Sequence, residues 1–126
     1  MRYLFHLSFK GTRYYGWQRQ PKLQTVQESI ESTLRNITGK KVSIHGCGRT
    51  DAGVHASQFF FHTGLEINDH GSFLYILNQN LPADIAVFDC HEIPSDFNAQ
   101  FKAIERTYHY FLHTTKQNNK IYKLKY

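Results

Sequence analysis

Cysteine is scarce, with Cys47 and Cys90 the only two in 126 residues. That number and that spacing exclude a disulfide framework and a zinc knuckle, so both read as reduced thiols, buried in the core. Long hydrophobic runs are missing too. No stretch approaches the roughly 20 apolar residues of a membrane span, and no basic start leads into a secretory apolar segment. A cytoplasmic protein is therefore expected. No HExxH, P-loop or GxGxxG signature is present, and the eight histidines lack ligand spacing, so neither metal nor cofactor is expected. Repeats and low-complexity tracts are absent. Positive charge is nearly absent from the middle of the chain: residues 42–97 carry seven acidic residues and one basic residue, Arg49.

What is there fits one folding unit over residues 1–126 with a modest core. Hydrophobic residues make up 40% and charged residues 20%, which argues against disorder. The two ends are basic: residues 1–41 hold eight Lys/Arg against two Glu, and residues 98–126 hold six against one. Basic ends around an acidic middle, with a pI near 9.3, point to a polyanion such as RNA or DNA. A solvated lysine-rich surface is the alternative.

Residues 2–10 alternate, Tyr3, Phe5, Leu7 and Phe9 against Arg2, His6, Ser8 and Lys10, as a half-buried strand does. Residues 11–24 read as a long loop in which aromatics interleave with Arg13, Arg19 and Lys22. Thr25 and Glu28 stand in capping-box register, starting a helix with Val26, Ile30, Leu34 and Ile37 on one stripe and Gly39 as its stop. Glu31 and Arg35 are placed to pair on its outer face. Strands are expected over 41–45, 58–67 and 85–92, with a second helix over 72–79 and a turn at Leu81-Pro82-Ala83-Asp84. In the last of these strands Ile85, Val87 and Asp89 oppose Ala86, Phe88 and Cys90. Residues 97–105 look irregular, and 107–114 read as one more strand. The predicted class is α+β: a ferredoxin-like split β-α-β-β-α-β antiparallel sheet, two helices on one face and the other face free, plus an additional C-terminal strand. The aromatic run that marks an RNA-recognition motif is not present.

Between two strands lies Gly48-Arg49-Thr50-Asp51-Ala52-Gly53-Val54-His55-Ala56, the densest chemistry in the chain. One guanidinium stands two positions before a carboxylate, between glycines that permit unusual backbone angles and close approach. An incidental salt bridge in a surface turn is the plain alternative.

These residues resemble the tRNA pseudouridine synthase A (TruA) family. Tyr15-Gly16-Trp17-Gln18-Arg19-Gln20 is similar to its early aromatic loop, Val26-Gln27-Glu28 to its first helix start, and Gly48 to Ala56 to its catalytic signature. Leu77-Asn78 with Leu81-Pro82-Ala83-Asp84-Ile85 resembles its central turn. Phe97-Asn98-Ala99 and Arg106-Thr107-Tyr108-His109-Tyr110 are similar to its later strand. Gln100 stands where the family usually has Arg. Family members are about twice as long, with a second, similar half, so the likeness covers this chain but only the N-terminal catalytic half of the enzyme.

The resemblance implies isomerisation of uridine to pseudouridine in the tRNA anticodon stem-loop, at positions 38 to 40, on a flipped-out nucleotide. It implies Asp51 as catalytic carboxylate, Arg49 and Tyr108 beside it, no cofactor, and a homodimer in the full-length form. Uracil must leave C1′ through nitrogen, turn, and return through C5, and a carboxylate can stabilise the cationic sugar or add covalently to sugar or base. Arg49 has two compatible roles, pairing with Asp51 and filling the space left by the flipped nucleotide. Tyr108 would stack on the base and relay the C5 proton. Substrate contact is expected from Arg13, Tyr15, Trp17, Gln18, Arg19, His55 and Tyr110, with Arg13 and Arg19 on phosphates. For Trp17 and Tyr15, anchoring the loop on the core is the competing role. For His55 it is a loop-bracing hydrogen bond. An RNA-binding fragment without turnover is the alternative function, since half of the cleft would be missing. An apolar edge left by that missing half would favour self-association.

Overall fold

A computed structural model of the chain describes residues 1–94. The elements run β1 (Arg2–Phe9), a 3₁₀ turn (Gly11–Arg13), α1 (Val26–Thr38), β2 (His45–Gly46), β3 (Ala56–Gly64), α2 (His70–Asn80) and β4 (Ile85–Ile93). The α+β class and the β-α-β-β-α-β order are those expected. The irregular stretch over 97–105, the additional strand, Gln100, Tyr108 and Tyr110 lie outside the described residues.

The sheet order is β2-β3-β1-β4, and every neighbouring pair is antiparallel. The strands of each β-α-β unit are thus separated by a strand of the other. β1 is central because its alternation supplies a whole apolar face: Tyr3, Phe5, Leu7 and Phe9 are all buried. Phe5 pairs with Phe61 on β3 and their rings stack at 4.8 Å. Val26, Ile30 and Leu34 of α1 and Leu77 of α2 join the same core, which places both helices on that face. Thr25 caps α1 by accepting from the Glu28 N–H, and Gly39 ends it at φ 74°, where a side chain would be strained. Asp69 caps α2, two residues ahead of the expected start.

Four expectations are corrected. The strand expected over 41–45 shrinks to His45–Gly46, and Ile44 before it is tied to α1 instead, its N–H donating to Glu31 Oε2 at 2.9 Å and its carbonyl accepting from Gln27 at 3.0 Å. Glu31 accordingly does not pair with Arg35. It is buried and bonds Arg19 at 3.2 Å. In β4 the register shifts opposite His6 and Leu7, so Cys90 rather than Asp89 follows Ile85 and Val87 into the core. The sheet face away from the helices is not free either: Leu4, Phe60 and His62 on it are 1%, 3% and 1% exposed. There His6 stacks on Phe60 at 4.7 Å and meets Phe88 edge-on, while His45 stacks on His62 at 5.1 Å.

His62 makes stability depend on pH. Burial, then the charges of His45 and Arg2, lower its pKa to about 4. The fold keeps it neutral, whereas the unfolded chain protonates it below about 6.5. Stability should therefore fall as pH drops from about 6.5 towards 4, by on the order of 1–2 kcal/mol at pH 5. Urea midpoints at pH 7 and pH 5 measure the loss, and His62→Gln should remove most of the difference.

Candidate active site

The segment between β2 and β3 turns at Asp51, whose carbonyl accepts from the Val54 N–H at 3.2 Å, with Gly53 at φ 80° in the third position. Arg49, Asp51 and Ala52 are exposed at its surface. The segment is clamped from beneath by the early aromatic loop. Gly53 N–H donates to the Tyr14 carbonyl at 3.1 Å, Trp17 N–H to the Thr50 carbonyl at 3.4 Å, and Gly11 N–H to His55 Nδ1 at 2.9 Å. The first two contacts are backbone to backbone, and the third reaches a side chain. A Cβ on Gly11 would collide with the Val54 carbonyl, and one on Gly16 with the Thr50 carbonyl.

The clamp is itself fixed at both ends. The Gly16 and Trp17 carbonyls accept from the Val26 and Gln27 N–H groups, two of the donors that the first turn of α1 leaves unpaired. Trp17 lies 2% exposed between Phe9, Phe59 and Phe61, with centroids at 6.1, 4.5 and 6.1 Å. Tyr14 is buried and its hydroxyl donates to Asp84 Oδ1 at 2.7 Å, across to the central turn. Burial, and then that carboxylate, push the Tyr14 pKa up to about 12. The tyrosine is a neutral strut.

The residues singled out in the sequence therefore divide. Asp51 and Arg49 share one exposed turn, and no ion pair joins them among the described residues. Trp17 takes the anchoring role, and His55 the bracing one. Tyr15 is 53% exposed and Arg13 is exposed on the 3₁₀ turn. Arg19 is tied to Glu31, while its N–H donates to Gln27 Oε1 at 2.8 Å. Gln18 lines a common hollow with Arg49. The supports that sequence reading passed over are Gln27, Glu31 and Asp84. Gln27 and Glu31, four apart on the flank of the α1 stripe, were the available sign of a polar contact there. No His/Cys/Asp/Glu group suited to a metal occurs among the described residues, and no helix among them is long and apolar enough to cross a membrane.

Comparison with known proteins yields a consistent set. A family model described as tRNA pseudouridine synthase matches residues 7–102. The tRNA pseudouridine synthase A of Hydrogenobaculum is 40% identical over 96% of this chain and 52% of its own length. That of Porphyromonas gingivalis is 40% identical over 88% and 45%. That of Picosynechococcus is 43% identical over 86% and 40%. The chain thus spans about half the length of these curated relatives.

Proposed function

Because the chain belongs to the tRNA pseudouridine synthase family, we propose that it isomerises uridine to pseudouridine in tRNA with Asp51 as the catalytic carboxylate. The observation carrying this is the placement of Asp51: an exposed carboxylate on a turn held by three hydrogen bonds from a loop rooted in the core. A rigid support of this kind suits a group that must meet C1′ or the base within a few tenths of an ångström. The N1–C1′ bond breaks, the carboxylate stabilises or traps the electron-poor fragment, the base turns and C5 bonds to C1′ as any bond to the carboxylate is released, and the loss of the C5 proton is matched by protonation of N1. Arg49, at the same turn, fills the space left by the flipped nucleotide. Tyr108 completes the proposal by stacking on the base and relaying the C5 proton, with Tyr110 as a further substrate contact. Arg13, Tyr15, Gln18 and Arg19, all exposed, are parts of the aromatic loop open to RNA contact. The anticodon stem-loop as target, a homodimer of the full-length form and a cytoplasmic location belong to the same reading.

A second reading has its own observation: the chain spans about half of its relatives. On that reading it binds tRNA without turnover. Incubation with tRNA tritiated at uracil C5 separates the two. Tritium release is the expected result, and bound tRNA without release would leave a binding fragment.

A further inference from the structure

The turn leading into β4 is tied to the segment beneath the Asp51 turn at two points, and both belong to one residue. The Asp84 carbonyl accepts from the Lys10 N–H at 2.9 Å, and Asp84 Oδ1 accepts from the Tyr14 hydroxyl at 2.7 Å. Asp84 thus grips residues 10–14 at both ends. Between those ends the segment closes on itself, with the Tyr14 N–H donating to the Gly11 carbonyl at 2.9 Å. Its other side carries three successive residues of the catalytic segment. The Tyr14 carbonyl accepts from the Gly53 N–H at 3.1 Å, the Gly11 N–H donates to His55 Nδ1, and Gly11 lies too close under Val54 to admit a Cβ. Asp51 precedes Gly53 by two positions, and its own carbonyl closes the turn onto Val54. Asp84 is also well placed to act as a fixed point. It is half-buried, next to Ile85 in the core, and the Ile85 N–H donates to the Pro82 carbonyl at 3.1 Å. Tyr14 is 3% exposed, so its bond to the carboxylate is charge-assisted and shielded from water.

We propose that Asp84 is a positioning residue for the reaction: through Tyr14 and Gly53 it sets where the Asp51 carboxylate stands against the uridine. The inference rests on the reading of Asp51 as the catalytic carboxylate, and it gives a part in turnover to a second acid that acts through the backbone. Removing the Asp84 side chain leaves the Lys10 tie in place, because that tie uses the backbone carbonyl. It frees the other end, the one that holds Gly53. A reacting group displaced by about 1 Å loses on the order of a hundredfold in rate, while contacts that bind the rest of the RNA are untouched. The expected defect is therefore in the chemical step rather than in affinity.

The test has two arms. In the 126-residue chain, Asp84→Ala and Tyr14→Phe should each speed amide exchange at Gly53 about tenfold by NMR, beyond any change at the Phe5 amide of β1. Tyr14→Phe keeps the ring in the core, so it separates loss of the bond from loss of packing. In the longest form that releases tritium, Asp84→Ala should lower kcat about ten- to hundredfold after correction for the folded fraction, with KM for tRNA within about threefold. Asp84→Asn, which keeps an acceptor oxygen, should recover most of that loss. The Asp84→Ala and Tyr14→Phe changes combined should cost no more than the worse of the two, since they cut the same link. Unchanged Gly53 exchange in both variants, or losses that multiply when they are combined, overturns the relay. A corrected kcat within about threefold of the parent in Asp84→Ala overturns the positioning role. The outcomes separate from those of the parent's own tritium release: a Gly53 effect with no release from any form removes the isomerase reading alone, and release without a Gly53 effect removes the relay alone.

Discussion

Asp51→Asn should abolish tritium release, lowering turnover by at least about a thousandfold, while tRNA affinity stays within about threefold of the parent. The amide keeps the size and hydrogen-bonding reach of the carboxylate but has neither the charge to stabilise an oxocarbenium sugar nor the lone-pair reactivity to trap it. Asp51 is exposed and its side chain bonds no neighbour among the described residues, so the change should leave stability within about ±0.5 kcal/mol. The assay belongs in the longest form of the protein that releases tritium, because this chain spans about half of its relatives. Normal turnover in the variant would move the nucleophile elsewhere.

Trp17→Ala should destabilise the chain by about 3–5 kcal/mol, read as a lowered urea midpoint, whereas Trp17→Phe should cost much less. The indole is the largest fully buried side chain among the described residues and contacts rings from β1 and β3. Removing it empties the place where the aromatic loop is rooted, so the Asp51 turn should loosen with it. The opposite pattern, unchanged stability with lost RNA affinity, would give Trp17 back to base stacking.

The legible parts of the fold are those whose cause is local. Strand β1 shows in the alternation of four apolar residues, and both ends of α1 show in Thr25 and Gly39, each acting within four residues. The turn carrying Asp51 was legible through its glycines and its isolated charge. Illegible parts depend on partners far along the chain. Tyr14 reaches Asp84 across 70 positions, His55 reaches Gly11 across 44, and Glu31 reaches Ile44 across 13. Each of these has a residue type that also suits solvent or substrate, so composition could not assign it. The β4 shift was hidden for a different reason: a bulge is one residue of slack, and a period of two has no mark for where slack enters.

Glu31 has a consequence at the margin of the sheet. On the outer edge it takes the Ile44 N–H from the helix side, next to a β2 that is only two residues long. A strand so short presents almost no template of open peptide groups to a passing chain. Added strands, the usual route to edge-to-edge aggregation, find little to zip onto at that side. One carboxylate thereby acts as a gatekeeper of solubility, and any self-association of this chain should proceed elsewhere than along β2.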